Sequence, residues 1–401
     1  MASESEAHSL DASAAQHAHT DSSDPLDHRQ QGSEKPGFAD SLQLATSEQA
    51  REIPAWNRLL ESLENSLPAS EFGELGVLVG CSGGADSVAL LVAVQTLMLQ
   101  HRQRHPQARG FVIAAHFDHG LRGEESAGDQ VFVSRLAAEL GIEFVAGKGP
   151  GSDQDEASLR NQRREFFLAQ LQRSGARYLF LAHSMDDNVE TVLDRLMRGT
   201  GPTGLRGIPS FRPFHDQAAG SDFVVARPLL QVPRQTIRNA LLELQIPWRE
   251  DPSNASTKYR RNWIRHQLLP LLQDQNPQVR SAVARMIDSQ NDWGQVIADL
   301  AEAWLEQHVL STSPLVLRSV DAQLANDPPS SGLQRTLDSQ PVIVEALRRL
   351  WHQQGFPLQA MDQGHWRTLS ALMIGQGPMA LTLPGAIQVR RENSTITIVR
   401  S

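Results

Sequence analysis

From residue 76 onward, short runs of consecutive apolar residues alternate with longer stretches of amphipathic periodicity. Gly76-Val-Leu-Val-Gly80 is apolar throughout and bounded by glycines, which predicts a buried strand, and a helix follows from about Ser87 to Leu99. Phe111–His116 predicts a second strand, with a helix near 125–140. Ile142–Val145 predicts a third, with a helix from about Asp155 to Arg173, and Tyr178–Ala182 a fourth, with a helix from about Asp186 to Arg198. Phe223–Ala226 is the fifth. Strands and helices alternating in this way predict parallel βαβ units, hence an α/β fold with a doubly wound parallel sheet. Ligands of such sheets bind beyond the carboxyl ends of the strands, so the residues after each apolar run carry the interest.

Past about residue 258 the pattern changes. Asn276-Pro277 supplies an N-cap and a first-turn proline for a long helix toward His308, and two more helical stretches fall near 341–354 and 359–374. Residues 379–399 alternate between turn signals and predict a small β-meander. This half is expected to be a second, mostly helical domain. Residues 1–55 are instead rich in Ser, Ala, His, Gln and Asp with almost no aromatics, a composition too polar to offset its ordering entropy. The expected organisation is a disordered acidic tail over 1–55, a catalytic α/β domain over 56–255 and a helical substrate-binding domain over 256–401.

Charge changes the picture twice. The 401 residues carry 46 acids and 37 bases, a net charge of −9, which at first argues against a polyanionic partner. Ten of those acids and only three bases lie in residues 1–55, however, and the remainder is close to neutral. Within it, residues 227–265 hold eight bases against three acids, with Trp248, Tyr259 and Trp263 interleaved. That stretch reads either as a solvated surface over core aromatics or as a nucleic-acid footprint combining phosphate neutralisation with base stacking. A single cysteine, Cys81, excludes an internal disulfide, a Cys-rich zinc site and a two-cysteine redox relay. No apolar run is long enough to cross a bilayer, and the acidic start resembles neither a secretory signal nor a transit peptide. A cytoplasmic location with no membrane partner is expected.

The first strand runs into Ser82-Gly83-Gly84-Ala85-Asp86-Ser87 and then an apolar helix. Two glycines let backbone N–H groups converge on an anion at a helix N-terminus. The Ser82 and Ser87 hydroxyls can donate to phosphate oxygens, and Asp86 can hold Mg²⁺. Without Gly-Lys-Ser/Thr this is not a Walker A loop. A tight, Ser-capped turn is the plainer reading, and the strand–loop–helix context outweighs it. Gly199-Thr-Gly201-Pro-Thr-Gly204 matches a dinucleotide fingerprint in letters only, because it follows a helix.

Two further clusters end strands. His116-Phe-Asp118-His119 follows the second; with no further ligand at convincing spacing, zinc is not expected there. After the fourth comes Asp186-Asp187-Asn188-Val-Glu190, whose three carboxylates share a helix face. Acids in a first turn complement the helix dipole, yet three so close repel one another unless a cation such as Mg²⁺ or a substrate ammonium sits among them. Arg160 and Arg163 or Arg164 share a face of the preceding helix: either a solvated basic surface or a phosphate clamp.

SGGADS resembles the SGGxDS signature of the PP-loop ATP pyrophosphatases, a Rossmann-like superfamily that holds ATP in this loop and adenylates a substrate oxygen. In order, HFDHGLR, Arg160–Arg163, AHSMDDNVET, Arg198-Gly-Thr-Gly with Gly204-Leu205, Arg227-Pro-Leu-Leu, and Glu250-Asp251-Pro-Ser-Asn254 through Tyr259-Arg-Arg261-Asn262-Trp-Ile-Arg265 extend the likeness. From about residue 75 to 270 the chain resembles the tRNA(Ile)-lysidine synthetases. The resemblance implies a ligase that joins L-lysine to C2 of the wobble cytidine of CAU-anticodon tRNA(Ile) through an adenylated intermediate. The product, lysidine, changes decoding from AUG to AUA. It implies ATP and Mg²⁺ as cofactors, with tRNA(Ile) and lysine as partners. Ser82, Gly83, Gly84, Ala85, Asp86 and Ser87, with His116, Asp118 and His119, would bind ATP. Asp86 and Asp187 would hold the metal, Asp187 and Glu190 the metal or the lysine ammonium, and Arg160 and Arg163 an AMP or tRNA phosphate. Asn188 stands where the family usually has Gln, and the extra C-terminal domain of longer members is not expected here. A PP-loop tRNA thiolase would need more cysteines than Cys81, and an inactive nucleotide- or RNA-binding module would not need an intact loop and acidic cluster. The residues leave the oligomeric state open, a homodimer included.

Overall fold

The computed structural model describes residues 37–120, 124–151, 156–216, 221–250, 260–320 and 332–400. The five expected strands form as β1 (Gly76–Gly80), β2 (Phe111–Asp118), β3 (Glu143–Lys148), β4 (Tyr178–Leu181) and, after an unexpected β5 (Phe211–Asp216), β6 (Ser221–Ala226). The sheet order is β3-β2-β1-β4-β6-β5, parallel except for β5, which pairs antiparallel with β6 at one edge. Alternate residues of β1 serve two cores. Val77 and Val79 pack with Val112, Ala114 and Phe180 on one face, while Leu78 packs with Ile113, Ala115 and Leu179 on the other.

The helices of this half are α1 (Phe38–Thr46), α2 (Pro54–Ser66), the single turn α3 (Ala69–Phe72), α4 (Ala85–Arg104), α5 (Glu124–Glu139), α6 (Glu156–Ser174), α7 (Met185–Met197), the single turn α8 (Pro202–Leu205) and α9 (Arg234–Glu243). Helix α4 has no polar side over its middle: every residue from Val88 to Met98 is buried. A helix apolar all round must be covered on both sides. The sheet covers one side, and α1, α2 and α9 join the same core on the other. This corrects the expected tail. Residues 38–55 are largely helical, with Leu42, Ala45, Ala50 and Ala55 buried, because α4 requires them; residues 1–36 lie outside the described set.

The second half begins, among the described residues, with α10 (Arg260–Trp263), which continues through one π turn over Ile264–Leu268 into α11 (Leu269–Gln275). The long helix α12 (Val279–His308) starts two residues later than expected, and the Asn276 side chain accepts the Gln278 N–H (3.0 Å) in the turn just before it. After β7 (Val309–Thr312) and β8 (Leu315–Arg318) come α13 (Gly332–Leu337), α14 (Gln340–Gln353), α15 (Gln363–Met373), β9 (Ala380–Leu383), β10 (Ile387–Glu392) and β11 (Thr395–Arg400). The expected meander is the β9–β11 part of a five-stranded antiparallel sheet, β7-β8-β11-β10-β9. Its inner face buries Leu317, Ile387 and Ile396 against Trp304, Trp351 and Trp366. Residues Phe38–Ser401 form one compact unit. Its halves meet where the Arg206 guanidinium donates to Asn291 of α12 (3.2 Å) and Arg348 of α14 to Thr203 of α8 (3.2 Å).

Candidate active site

The carboxyl ends of β1, β2 and β4 open into a cavity of about 890 Å³, large enough for a nucleotide. At its floor the Cys81 N–H continues the sheet by donating to Ala115 O (2.9 Å), and the chain then turns through Gly83 at φ +91°. Gly84 and Ala85 lead into α4. The Ser87 hydroxyl donates to Gly84 O (2.9 Å) and accepts from the Ser82 N–H (3.2 Å), so it braces the loop from inside. Ser82 is exposed on the cavity wall. Burial pushes the Cys81 thiol up to about 11, which keeps it protonated and unreactive.

Asp86 lies in the first turn of α4. Its Oδ2 meets Arg234 Nε at 3.2 Å, whereas its Oδ1 is buried with no hydrogen-bond partner among the described residues. Burial raises its pKa, and the Arg234 charge offsets only part of the rise. A half-paired, half-buried carboxylate of this kind suits Mg²⁺, which typically takes one or two carboxylates and completes its shell with substrate phosphate and water. Among the described residues, no group of three or more His, Cys, Asp or Glu is arranged to hold a metal unaided.

The acids of α7 do have cations among them, and the chain supplies these itself. Asp186 accepts the Arg234 N–H (2.8 Å) at the start of α9 and pairs with Arg280 of α12 at 2.5 Å. Asp187 uses Oδ2 to accept the Ser184 N–H (2.8 Å) and hydroxyl (3.0 Å) at its own helix start. Its Oδ1 takes Arg234 (2.7 Å) and Arg261 (2.8 Å). Burial alone would raise Asp187; the Arg234 and Arg261 charges outweigh it and hold the carboxyl below its ordinary range. Glu190 has no exposed surface and accepts from Arg261 Nε (2.9 Å), from Arg265 Nε and Nη2 (2.7 and 3.0 Å), and from Arg234 Nη1 at 3.5 Å. Asp86 and Asp187 line the cavity together; Glu190 does not reach its wall and stands behind the arginines. Asn188 accepts the Ile208 N–H (2.7 Å) and has a structural part.

His116, Asp118 and His119 also line the cavity. His116 Nδ1 donates to Cys81 O (2.9 Å), and Asp118 Oδ1 accepts the Gly120 N–H (2.7 Å), which shapes the strand end. Arg163 of α6 is on the wall, while Arg160 lies outside it, close enough to Arg227 for its charge to be felt there. Burial, then the charges of Arg212 and Arg160, push Arg227 down to about 10. His183 lines the cavity as neutral imidazole, pushed down to about 4 by burial first and by Arg227 next. Arg234, Arg249 and Arg280 were legible only as basic residues, and Arg261 and Arg265 also as part of the family-like stretch; their pairing was not legible, since pairing across the fold leaves no local spacing to read. Of the basic, aromatic stretch 227–265, residues 251–259, including Lys258 and Tyr259, lie outside the described set.

A glycine loop before α4, carboxylates at neighbouring strand ends and this sheet order define a protein of the PP-loop class, and a family model for the PP-loop domain matches residues 56–272. A curated tRNA(Ile)-lysidine synthase from Rhodopirellula baltica is 36% identical over 352 residues, covering 81% of this chain and 86% of that protein. Another from Solibacter usitatus is 42% identical over 200 residues, 49% of this chain and 40% of its own length. Among solved structures, the U34-tRNA thiolase NcsA from Methanococcus maripaludis has 16% identity and a TM-score of 0.46 over 59% of this chain and 79% of its own. The chain belongs to the tRNA(Ile)-lysidine synthase family.

Proposed function

We propose that this chain joins L-lysine to C2 of the wobble cytidine of a CAU-anticodon tRNA(Ile), using ATP and releasing AMP and pyrophosphate. The observation that supports the reading is Asp86: a half-buried carboxylate whose Oδ1 has no partner among the described residues, set in the loop Ser82–Ser87 and sharing Arg234 with Asp187 on the same cavity wall. The loop holds the triphosphate through its backbone N–H groups and Ser82. Asp86, with Asp187 beside it, is the metal-holding carboxylate; bound there, Mg²⁺ would draw charge from the phosphates. The cytidine C2 oxygen attacks the α-phosphorus, and the electron pair of the broken P–O bond leaves with pyrophosphate. The lysine amine then adds at C2, loses its extra proton and expels AMP. Arg163, on the cavity wall, would hold the AMP phosphate, and Arg160 and Arg227 the tRNA backbone. Asp187, whose oxygens are held by Ser184, Arg234 and Arg261, would take a substrate ammonium in exchange for one of those arginines, with Glu190 fixing the arginines around it. The enzyme contributes orientation and fixed charge more than covalent chemistry.

Purified protein with ATP, Mg²⁺, radiolabelled lysine and unmodified CAU-anticodon tRNA should place label on the tRNA. Asp86→Ala should lower the rate about 100-fold or more with an unchanged melting temperature. Absence of lysine-dependent label, or near-normal activity of Asp86→Ala, would overturn the reading. No helix among the described residues is long and apolar enough to cross a membrane, and the proposed substrates place the work in the cytoplasm.

A further inference from the structure

Arg249 lies against the phosphate loop at two levels. Its backbone N–H donates to Gly83 O (2.9 Å), at the one residue of the loop with positive φ. Its side chain passes over the same glycine, with Cγ 3.7 Å from the place a Cβ on Gly83 would take. The Nε then donates to Asp129 Oδ1 of α5 at 2.6 Å. Helix α5 is bare at the crossing: a Cβ on Gly128 would stand 3.1 Å from Arg249 Nη2. Nε is thus spent on Asp129, while Nη1 and Nη2 have no acceptor among the described residues and the side chain lines the cavity.

Asp129 is only 9% exposed. A carboxylate so dry, beside a loop that receives a triphosphate, would repel the ligand if it stood alone. Paired to Nε it is neutralised, and it turns the two free nitrogens in a fixed direction. A guanidinium oriented beforehand loses little freedom when an anion arrives, and its parallel N–H groups match two phosphate oxygens.

We propose that Arg249 grips the β- and γ-phosphates of ATP and stabilises the departing pyrophosphate, with Asp129 as its positioning residue. This rests on the reading that the loop Ser82–Ser87 holds ATP. When the bond from the α-phosphorus to the bridging oxygen breaks, its electron pair remains on pyrophosphate. The Arg249 charge, beside Gly83 of the loop, offsets that negative charge. Arg163, also on the cavity wall, is left to the AMP side of the same bond.

The test is equilibrium binding of ATP, inorganic pyrophosphate and AMP to the full-length chain. Arg249→Gln and Arg249→Lys both keep the backbone N–H and so keep the latch on Gly83. Arg249→Gln should weaken ATP and pyrophosphate roughly ten- to a hundredfold while AMP changes less than about twofold. Arg249→Lys should recover part of the loss. Asp129→Asn should weaken ATP severalfold with AMP again unmoved, a discrimination that a merely structural role would not produce. Unaltered ATP binding in Arg249→Gln, or equal losses for ATP and AMP, would overturn the proposal. Ser82→Ala separates the two ideas. If it weakens ATP and Arg249→Gln does not, the loop reading stands and the role of Arg249 falls. If neither weakens ATP, the loop reading itself fails.

Discussion

At the scale of single residues, Glu190 is where charge and burial conflict most. A carboxylate with no exposed surface is costly unless it is fully paired, and Glu190 accepts from three arginines drawn from two separate segments. The sequence displays three close acids that need a cation. It cannot display that the cations come from residues 44 to 94 positions away, because ion pairing across a fold leaves no periodic trace. Glu190→Gln would strand Arg261 and Arg265 against a neutral group and should cost about 3–5 kcal/mol of stability. Denaturant unfolding followed by circular dichroism measures this. A loss below about 1 kcal/mol would show that the arginines re-pair with Asp187 and that Glu190 holds nothing in place.

At the scale of elements, β1, β2, β4 and the loop after β1 are legible because each is a short apolar run at a sheet centre, where burial and sequence coincide. Strand β5 is not, since Arg212, Pro213 and His215 interrupt any apolar run, as an edge strand tolerates. Strands β7 and β8 have four residues each and gain their identity only by pairing, β8 with β11 and β7 with β8. Helix α1 was hidden inside a segment whose average composition is polar. The signal for it lies elsewhere, in an α4 that is apolar all round and so demands a cover. The phosphate loop shows how local such constraints become. A Cβ on Gly83 would meet nothing closer than 3.5 Å, so Gly83→Ala is opposed by φ +91° alone and not by space. It should cost about 1–3 kcal/mol or force the loop to relax. In thermal melts and ATP titrations the variant should lose stability, ATP affinity or both. If neither changes, the positive φ is not required for the loop to work.

At the scale of the whole molecule, charge and architecture give the N-terminal segment two opposite parts. Residues 1–36 carry seven acids against two bases, whereas Phe38–Thr46 and the residues up to Ala55 close the core over α4. The division proposed at residues 255 and 256 cuts through the cavity, whose wall takes Arg261, Arg265 and His266 from one side and Ser82 and Ser87 from the other. A polyanionic substrate approaching either half feels the acidic segment as repulsion, the more so when salt is low and the screening length long. Removing residues 1–36 should therefore leave the melting temperature within about 2 °C of the full chain and tighten tRNA binding at 50 mM salt more than at 200 mM. Removing residues 1–55 strips Leu42, Ala45 and Ala50 from α4 and should lower stability by about 3–5 kcal/mol. Melting curves of the two truncations, with tRNA binding at both salt concentrations, separate these effects. Equal stability of the two would remove the structural part assigned to residues 38–55. Weaker tRNA binding without residues 1–36 would mean that the acidic segment assists the substrate instead of repelling it.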